Sequence, residues 1–97
     1  MLKLTPAAAA QIAKSAAEAE GLALRFAARR KEDGSIEHIM GFDAVGDDDV
    51  HTVSEGIDLV YATEYTELLQ GTQVDYQELE NGESAFVFFN PNDAAQG

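Results

Sequence analysis

Length, composition and charge limit what this chain can be. Its 97 residues allow one domain with a small core, and 45% hydrophobic content is normal for a folded protein. A formal net charge of −12 disfavours a nucleic-acid partner, because an acidic surface repels phosphate backbones. No cysteine is present, which excludes thiolate metal sites in these residues, and no apolar run approaches the ~20 residues of a membrane span. We therefore expect a single cytoplasmic domain over residues 1–97, with 93–97 as a flexible tail and no membrane partner.

The charges are segregated along the sequence. All six Lys and Arg residues lie in the first 31 positions, whereas 16 of the 18 acidic residues lie in the other 66. Acidity of this kind keeps a protein soluble through like-charge repulsion. It can also steer a basic partner or a cation towards the protein, and both interpretations stay open.

The first predicted element is a helix. Thr5 can cap it and Pro6 suits its first turn, where the missing N–H of proline costs nothing. Ile12 is the one large apolar side chain on a stripe made mostly of alanine, and Gly21 supplies a stop signal. The pattern favours a structural helix that lies close against its support.

A β-hairpin is predicted next. Apolar and polar residues alternate from Leu22 to Arg29 and again from Ile36 to Phe42, which is the period of half-buried strands. Asp33-Gly34 between them is a strong turn dipeptide.

The second half of the chain reads as short strands around one short helix. An acidic loop from Asp43 to Asp49 comes first, and Thr63 can cap a helix that runs through Leu69. Four strands are predicted here: Val50–Ser54, Ile57–Ala62, Thr72–Leu79 and Ser84–Phe89. The last is apolar on both faces, which is typical of a central, covered strand. Together the elements indicate a β-rich α+β domain.

Several segments in order carry a family resemblance. They are Leu2-Lys3-Leu4-Thr5-Pro6, Leu24-Arg25-Phe26, Met40-Gly41-Phe42-Asp43, Gly56-Ile57-Asp58-Leu59, Leu68-Leu69-Gln70-Gly71-Thr72 and Phe86-Val87-Phe88-Phe89-Asn90-Pro91-Asn92. Together they resemble the A-type iron–sulfur carrier family (HesB/IscA-like). The resemblance implies a twisted sandwich of short mixed strands with an N-terminal helix and one short second helix, often dimeric or tetrameric. It also implies iron or cluster binding through three cysteines.

The cysteine positions of that family are where this sequence departs from it. The first family cysteine lies between the first two strands, and counting from Leu24 to Phe42 without gaps puts Asp33 there. The other two form a Cys-Gly-Cys motif shortly after Asn-Pro-Asn, about where this sequence stops at Gly97. Fe–S clusters are held by thiolates, whereas carboxylates suit hard cations or mononuclear iron. We therefore expect that the chain does not carry a cluster in the family's manner.

Two function classes follow. The first is a non-catalytic protein-interaction or scaffold module, with a protein partner or a homodimer and no resident cofactor, related to iron–sulfur cluster assembly. The second is an iron-binding protein with oxygen and nitrogen ligands from Asp33, Glu32, Glu37 and His38. Strand alternation, however, sends Glu37 and His38 to opposite faces, and a histidine among apolar neighbours is more often a packed residue.

Catalysis has little support in the sequence. The four serines lie in no nucleophile motif, and no glycine-rich phosphate loop is present. The tyrosines could instead line a binding surface or pack in the core: Tyr61, Tyr65 and Tyr76.

Overall fold

Seven strands and two α-helices form within residues 2–93, the part of the chain that the computed structural model describes. In chain order they are β1 (Lys3–Leu4), α1 (Pro6–Ala16), β2 (Ala23–Arg30), β3 (Ile36–Asp43), β4 (Asp49–Ser54), β5 (Ile57–Ala62), a 3-10 helix (Thr63–Tyr65), α2 (Thr66–Leu69), β6 (Gln73–Glu78) and β7 (Ser84–Phe89). None of the helices in these residues is long and apolar enough to cross a membrane.

The strands form two mixed sheets. The four-stranded sheet has the order β3-β2-β5-β4, with β2 parallel to β5 and antiparallel to β3. The three-stranded sheet has the order β1-β6-β7, with β1 parallel to β6. The predicted α+β fold with an N-terminal helix and a short second helix is thus confirmed.

Helix α1 begins as predicted and ends earlier. The Thr5 Oγ1 accepts a hydrogen bond from the Ala8 N–H at 3.2 Å, and Pro6 occupies the first turn. The helix ends at Ala16, because the next residues make tighter i→i−3 bonds, such as Glu18 N to Ser15 O at 3.0 Å. The α-helix therefore stops before Gly21.

The core lies between the two sheets and α1. Phe26, Leu59 and Val74 are at most 1% exposed, and Phe26 meets Phe88 edge-to-face across the sheets with ring centroids 6.4 Å apart. Ile12 of α1 is buried in the same cluster. Edge-to-face aromatic pairs add to the burial energy, so this contact ties the sheets together.

The prediction that the last strand is central was wrong. β7 pairs with β6 on one side and is an edge strand of its sheet within residues 2–93. Phe88 faces the core, whereas Phe89 points the other way and is 45% exposed. Apolar residues on both faces of a strand indicate that both faces of the sheet are covered there. They carry no information on whether the strand has a hydrogen-bonded neighbour on one edge or on both edges.

Two local predictions also need correction. Thr63 is the first residue of the 3-10 helix, and its hydroxyl donates to the Asp48 carbonyl at 2.9 Å instead of capping a helix. Asp93 is only 6% exposed, and its N–H donates to the Asn90 carbonyl, so it is not part of a flexible tail. Residues 94–97 of that predicted tail lie outside the described residues.

Candidate functional site

The tip of the β2–β3 hairpin and the segment after β7 lie side by side. The Arg30 Nη2 donates to the Asn92 carbonyl at 3.1 Å, which joins residues 62 positions apart. The Asn90 Nδ2 lies 3.1 Å from the His38 Nε2. We call this contact of residues 30–38 with Asn90–Asp93 the junction. Its residue range includes all four predicted iron ligands, Glu32, Asp33, Glu37 and His38.

The two asparagines of Asn-Pro-Asn bind the end of helix α2. Asn90 is 1% exposed, and its Nδ2 donates to the Leu68 carbonyl at 2.7 Å. The Asn92 Nδ2 donates to the carbonyls of Glu67 at 3.0 Å and Gln70 at 3.1 Å. Because the last carbonyls of a helix have no partner within it, these amides stabilise the helix end. The motif therefore has a structural role in this chain.

Gly71 and Pro91 pack closely at the same place. Gly71 has a backbone φ of +78°, an angle that residues other than glycine rarely adopt. A Cβ added to it would lie 3.0 Å from the Pro91 Cγ. Both the backbone conformation and the close approach therefore favour glycine.

His38 is a packed, neutral histidine. Its ring stacks on Phe88 with centroids 4.6 Å apart and planes 3° from parallel. The Asn90 Oδ1 accepts from the Asn92 N–H, which orients the Asn90 Nδ2 towards the His38 Nε2 as a donor. The His38 Nε2 must then be the unprotonated acceptor. Burial lowers the pKa of His38, and the charge of Asp93 opposes that shift.

The structure does not bring the four predicted iron ligands together. The Asp33 Oδ1 accepts from the Ser35 N–H at 2.9 Å and from the Ser35 hydroxyl, and the hydroxyl bond is the main reason that the pKa of Asp33 is lowered. Glu37 pairs with Arg29 at 3.1 Å, on the face of β3 opposite His38, and Glu32 is exposed.

No other cluster of metal-ligating side chains replaces the predicted ligands in the described part of the chain. Residues 2–93 contain no group of three or more His, Cys, Asp or Glu side chains that could hold a metal ion. The lone pair of the His38 Nε2 is also occupied by the Asn90 amide.

The basic cluster at the hairpin tip is used for internal contacts. A shallow depression of about 500 Å³ is lined by residues 29–33. Arg29 is paired with Glu37, and the Arg30 Nη1 donates to the Gly34 carbonyl at 2.8 Å. These guanidinium groups hold the hairpin tip and the junction in place.

Two solved structures are similar to this chain over most of its length. One is described as IscA with the [2Fe-2S] cluster, and it matches with a TM-score of 0.77 and 34% sequence identity over 97% of this chain and 86% of its own. The other is Escherichia coli SufA, described as involved in the biosynthesis of iron–sulfur clusters, with a TM-score of 0.74 and 28% identity over 94% and 86%. The chain belongs to the A-type iron–sulfur carrier family. No protein-family model and no curated protein sequence matches it.

This member of the A-type carrier family has no cysteine in its 97 residues. The hairpin tip carries Asp33, which is bonded to Ser35. The fold and the Asn-Pro-Asn segment are therefore present together with a carboxylate at the position where the resemblance predicts a thiolate.

An ionic network that the sequence did not reveal holds the acidic loop, residues 43–49. The Arg25 Nε donates to Asp43 at 2.8 Å, its Nη1 donates to Asp49 at 2.9 Å, and its Nη2 donates to the Ala44 carbonyl at 2.9 Å. The bonds from Arg25 and then from the Gly46 N–H lower the pKa of Asp49 to about 2. The one sequence signal was an arginine in the first strand of a hairpin whose second strand leads into an acidic segment, and its partners lie 18 and 24 positions away.

The tyrosines lie against the core. Tyr61, Tyr65 and Tyr76 are all partly buried and pack on the core cluster, and Tyr76 meets Phe86 with ring centroids 4.9 Å apart. They do not form the exposed surface that was one interpretation of the sequence.

Proposed function

We propose that this A-type carrier relative is a cytoplasmic, non-catalytic protein-interaction or scaffold module of iron–sulfur cluster assembly, and that it does not carry a cluster in the usual way. The observation that carries the proposal is Asp33 at the hairpin tip, hydrogen-bonded to Ser35, on a fold shared with IscA and SufA. Soft sulfur ligands hold Fe–S clusters, and a carboxylate oxygen is a poor substitute.

The ionisable groups with shifted pKa values support a non-catalytic role. Strongly shifted groups in a cleft are candidates for catalysis, but contacts within the fold can cause the same shifts. Here each has such a contact: His38 stacks on Phe88, Asp33 accepts from Ser35, Asp49 binds Arg25, and Asp75 accepts from the Thr5 hydroxyl. Their shifts are accounted for by packing and by binding within the protein.

The test of the missing cluster is anaerobic reconstitution with ferrous iron and sulfide. We would record the visible spectrum and measure iron and sulfide in the desalted protein, with the IscA whose structure contains a [2Fe-2S] cluster treated in parallel as the positive control. We expect a colourless protein without stoichiometric iron. A chromophore with both iron and sulfide would overturn the proposal.

The same experiment tests iron binding by oxygen and nitrogen ligands. Iron without sulfide would indicate a mononuclear site, and Asp33→Ala and His38→Ala should then each lower the iron content. Glu55→Ala is the matched control, because Glu55 is an exposed acid in the turn between β4 and β5.

The interaction part of the proposal needs a separate measurement. In-cell crosslinking followed by mass spectrometry should recover proteins of iron–sulfur assembly, and native mass spectrometry would show whether a homodimer forms. We expect a protein partner, and neither nucleic acid nor membrane. Failure to crosslink to any protein, together with a monomer at high concentration, would contradict the interaction role.

A further inference from the structure

Strand β3 forms one edge of the four-stranded sheet. Within residues 2–93 it pairs with β2 alone and without a bulge, so the backbone groups on its other edge have no strand partner in this part of the chain. Its first residues belong to the junction, where His38 meets Asn90. We call the remainder, residues 39–43, the open edge. Edge strands are usually protected by charged side chains, proline or a bulge, and residues 39–42 contain none of these.

Two mostly apolar recesses flank the open edge, one on each face of the sheet. Met40 and Phe42 pack on the core, so Ile39 and Gly41 point to the opposite face. On the core side, a recess of about 270 Å³ lies between β3, helix α1 and strand β7. On the opposite side, a recess of about 230 Å³ lies beside Ile39. Gly41 lines both recesses, so both of them reach the edge of the strand.

An extended segment of another chain fits this combination of a free edge and two recesses. A strand added beside β3 forms main-chain hydrogen bonds with the open edge, and its successive side chains point to opposite faces of the sheet. One set of side chains would enter the recess on the core side, and the other set would enter the recess beside Ile39. A helix at the same place would leave the backbone of β3 unpaired.

The charge next to the open edge narrows the choice of partner. Strand β3 leads directly into the acidic loop, which has four aspartates against the one arginine that binds it, Arg25. A partner strand with Lys or Arg at the end beside this loop would therefore gain electrostatic complementarity. A second copy paired antiparallel through its own β3 about Met40 would place Glu37 opposite the other copy's Asp43, and like charges directly opposite are unfavourable.

We infer that the open edge of β3 binds an extended segment of another protein, which joins the four-stranded sheet as a further strand. The central side chains of this segment are apolar and alternate between the two recesses, and Lys or Arg at one end lies beside Asp43 and the acidic loop. The inference rests on the proposed interaction function and names the surface and the chemistry of the partner.

The test uses a short peptide of two Lys residues followed by Val-Phe-Val-Phe-Val, made in two forms. In the first form alternate amides of the apolar residues are N-methylated, which leaves one edge able to pair. In the second form all of these amides are methylated, which blocks both edges while side chains and charge stay the same. Each would be titrated into the ¹⁵N-labelled full chain at physiological salt. We expect saturable amide shifts at residues 39–43 with the first form and none with the second.

Substitutions on the two edge strands of the sheet test the location. Ile39→Lys should weaken binding of the first peptide at least about tenfold, because it removes an aliphatic contact and repels the Lys residues of the peptide. Val53→Lys is the matched control and should leave the affinity unchanged, since Val53 lies on the opposite edge strand, β4, and is 56% exposed against 57% for Ile39. Ile39→Thr, which adds no charge, should give a smaller loss.

Four results would overturn the inference. Equal binding of both peptide forms would mean apolar or charge attraction without strand pairing. Shifts that map to β4 or β7, or an unchanged affinity in Ile39→Lys, would place the binding elsewhere. Shifts at residues 39–43 that depend on protein concentration without any peptide would show that a second copy occupies the edge. If crosslinking still finds a partner on another surface, the assignment of the edge fails while the interaction function stands.

Discussion

At the junction, the polar side chains of His38 and Asn90 are uncharged and packed together, whereas the acidic loop is held by charged groups near the surface. Asn90 is 1% exposed, while in the loop network the side chains of Arg25 and Asp43 are 26% and 60% exposed and only Asp49, at 10%, is largely covered. A polar group without access to water must find partners within the protein, but an exposed ion pair is always in competition with water and salt. We therefore expect the two regions to contribute very differently to stability.

The largest effect should come from Asn90→Ala. The change removes the side chain that binds the Leu68 carbonyl, the His38 Nε2 and the Asn92 N–H, and it leaves the Leu68 carbonyl with only a longer bond of 3.4 Å from the Asn92 Nδ2. At about 1–3 kcal/mol for each buried unsatisfied group, with partial relaxation, the free energy of unfolding should fall by about 2–4 kcal/mol. Urea unfolding followed by circular dichroism measures it. Asn92→Ala, at a less buried position, should cost less, and equal losses would contradict the central role of Asn90.

Gly71→Ala should be the next largest. Alanine is strained at φ +78°, and its Cβ would also press on Pro91. We expect a loss of about 1–3 kcal/mol. Gly82→Ala is the control, because Gly82 has φ +84° and nothing within 4 Å of an added Cβ. If the two variants lose the same stability, the contact with Pro91 has no energetic weight.

Acidification should weaken the junction before it affects the loop. Because the pKa of His38 is lowered in the folded protein, the unfolded chain binds a proton at higher pH than the folded one does. The contribution of His38 is present above the unfolded pKa of about 6.5 and is lost as the pH falls through the folded value. His38→Phe should flatten the stability profile in this window, and His51→Phe, at the other histidine of the sequence, is the comparison variant. If the free energy of unfolding of His38→Phe depends on pH as steeply as that of the unmodified protein, His38 is not the group responsible.

Arg25→Gln should have the smallest effect on stability and a clear local one. Without the guanidinium, the pKa of Asp49 should rise from about 2 towards its ordinary value of 3.8. Since that pKa is depressed in the folded state, the stabilisation is present above pH 3.8 and is lost as the pH falls towards 2. An NMR titration of the Asp49 carboxyl measures the shift. Lys14→Gln, remote in sequence from the loop, serves as the control, and an unshifted Asp49 in Arg25→Gln would show that other groups set its pKa.

What the sequence could predict was local. The helix start at Thr5-Pro6 and the hairpin turn at Asp33-Gly34 depend on neighbouring residues, and both were predicted correctly. The edge position of β7 depends on which strand pairs with which, and the two-sided apolar pattern of residues 84–89 carries no such information.

The candidate site was predictable only in part, for the same reason. Asn-Pro-Asn stood out as a motif, but its role depends on helix α2, which ends at Leu69, 21 positions before Asn90. The alternation of side chains along a strand correctly predicted that Glu37 and His38 lie on opposite faces of β3. It could not show that the His38 Nε2 accepts from Asn90, 52 positions away.

The parallel pairing of β1 with β6 also has a consequence for synthesis. Lys3 is in register with Gln73, so β1 has no sheet to join until about 70 further residues have been made. At 5–20 residues per second this is a wait of roughly 4–14 s, during which Leu2 and Leu4 are without their final neighbours. The four-stranded sheet can form first from residues 23–62, and the three-stranded sheet follows. We expect the nascent chain to need protection of its first strand while it is still on the ribosome.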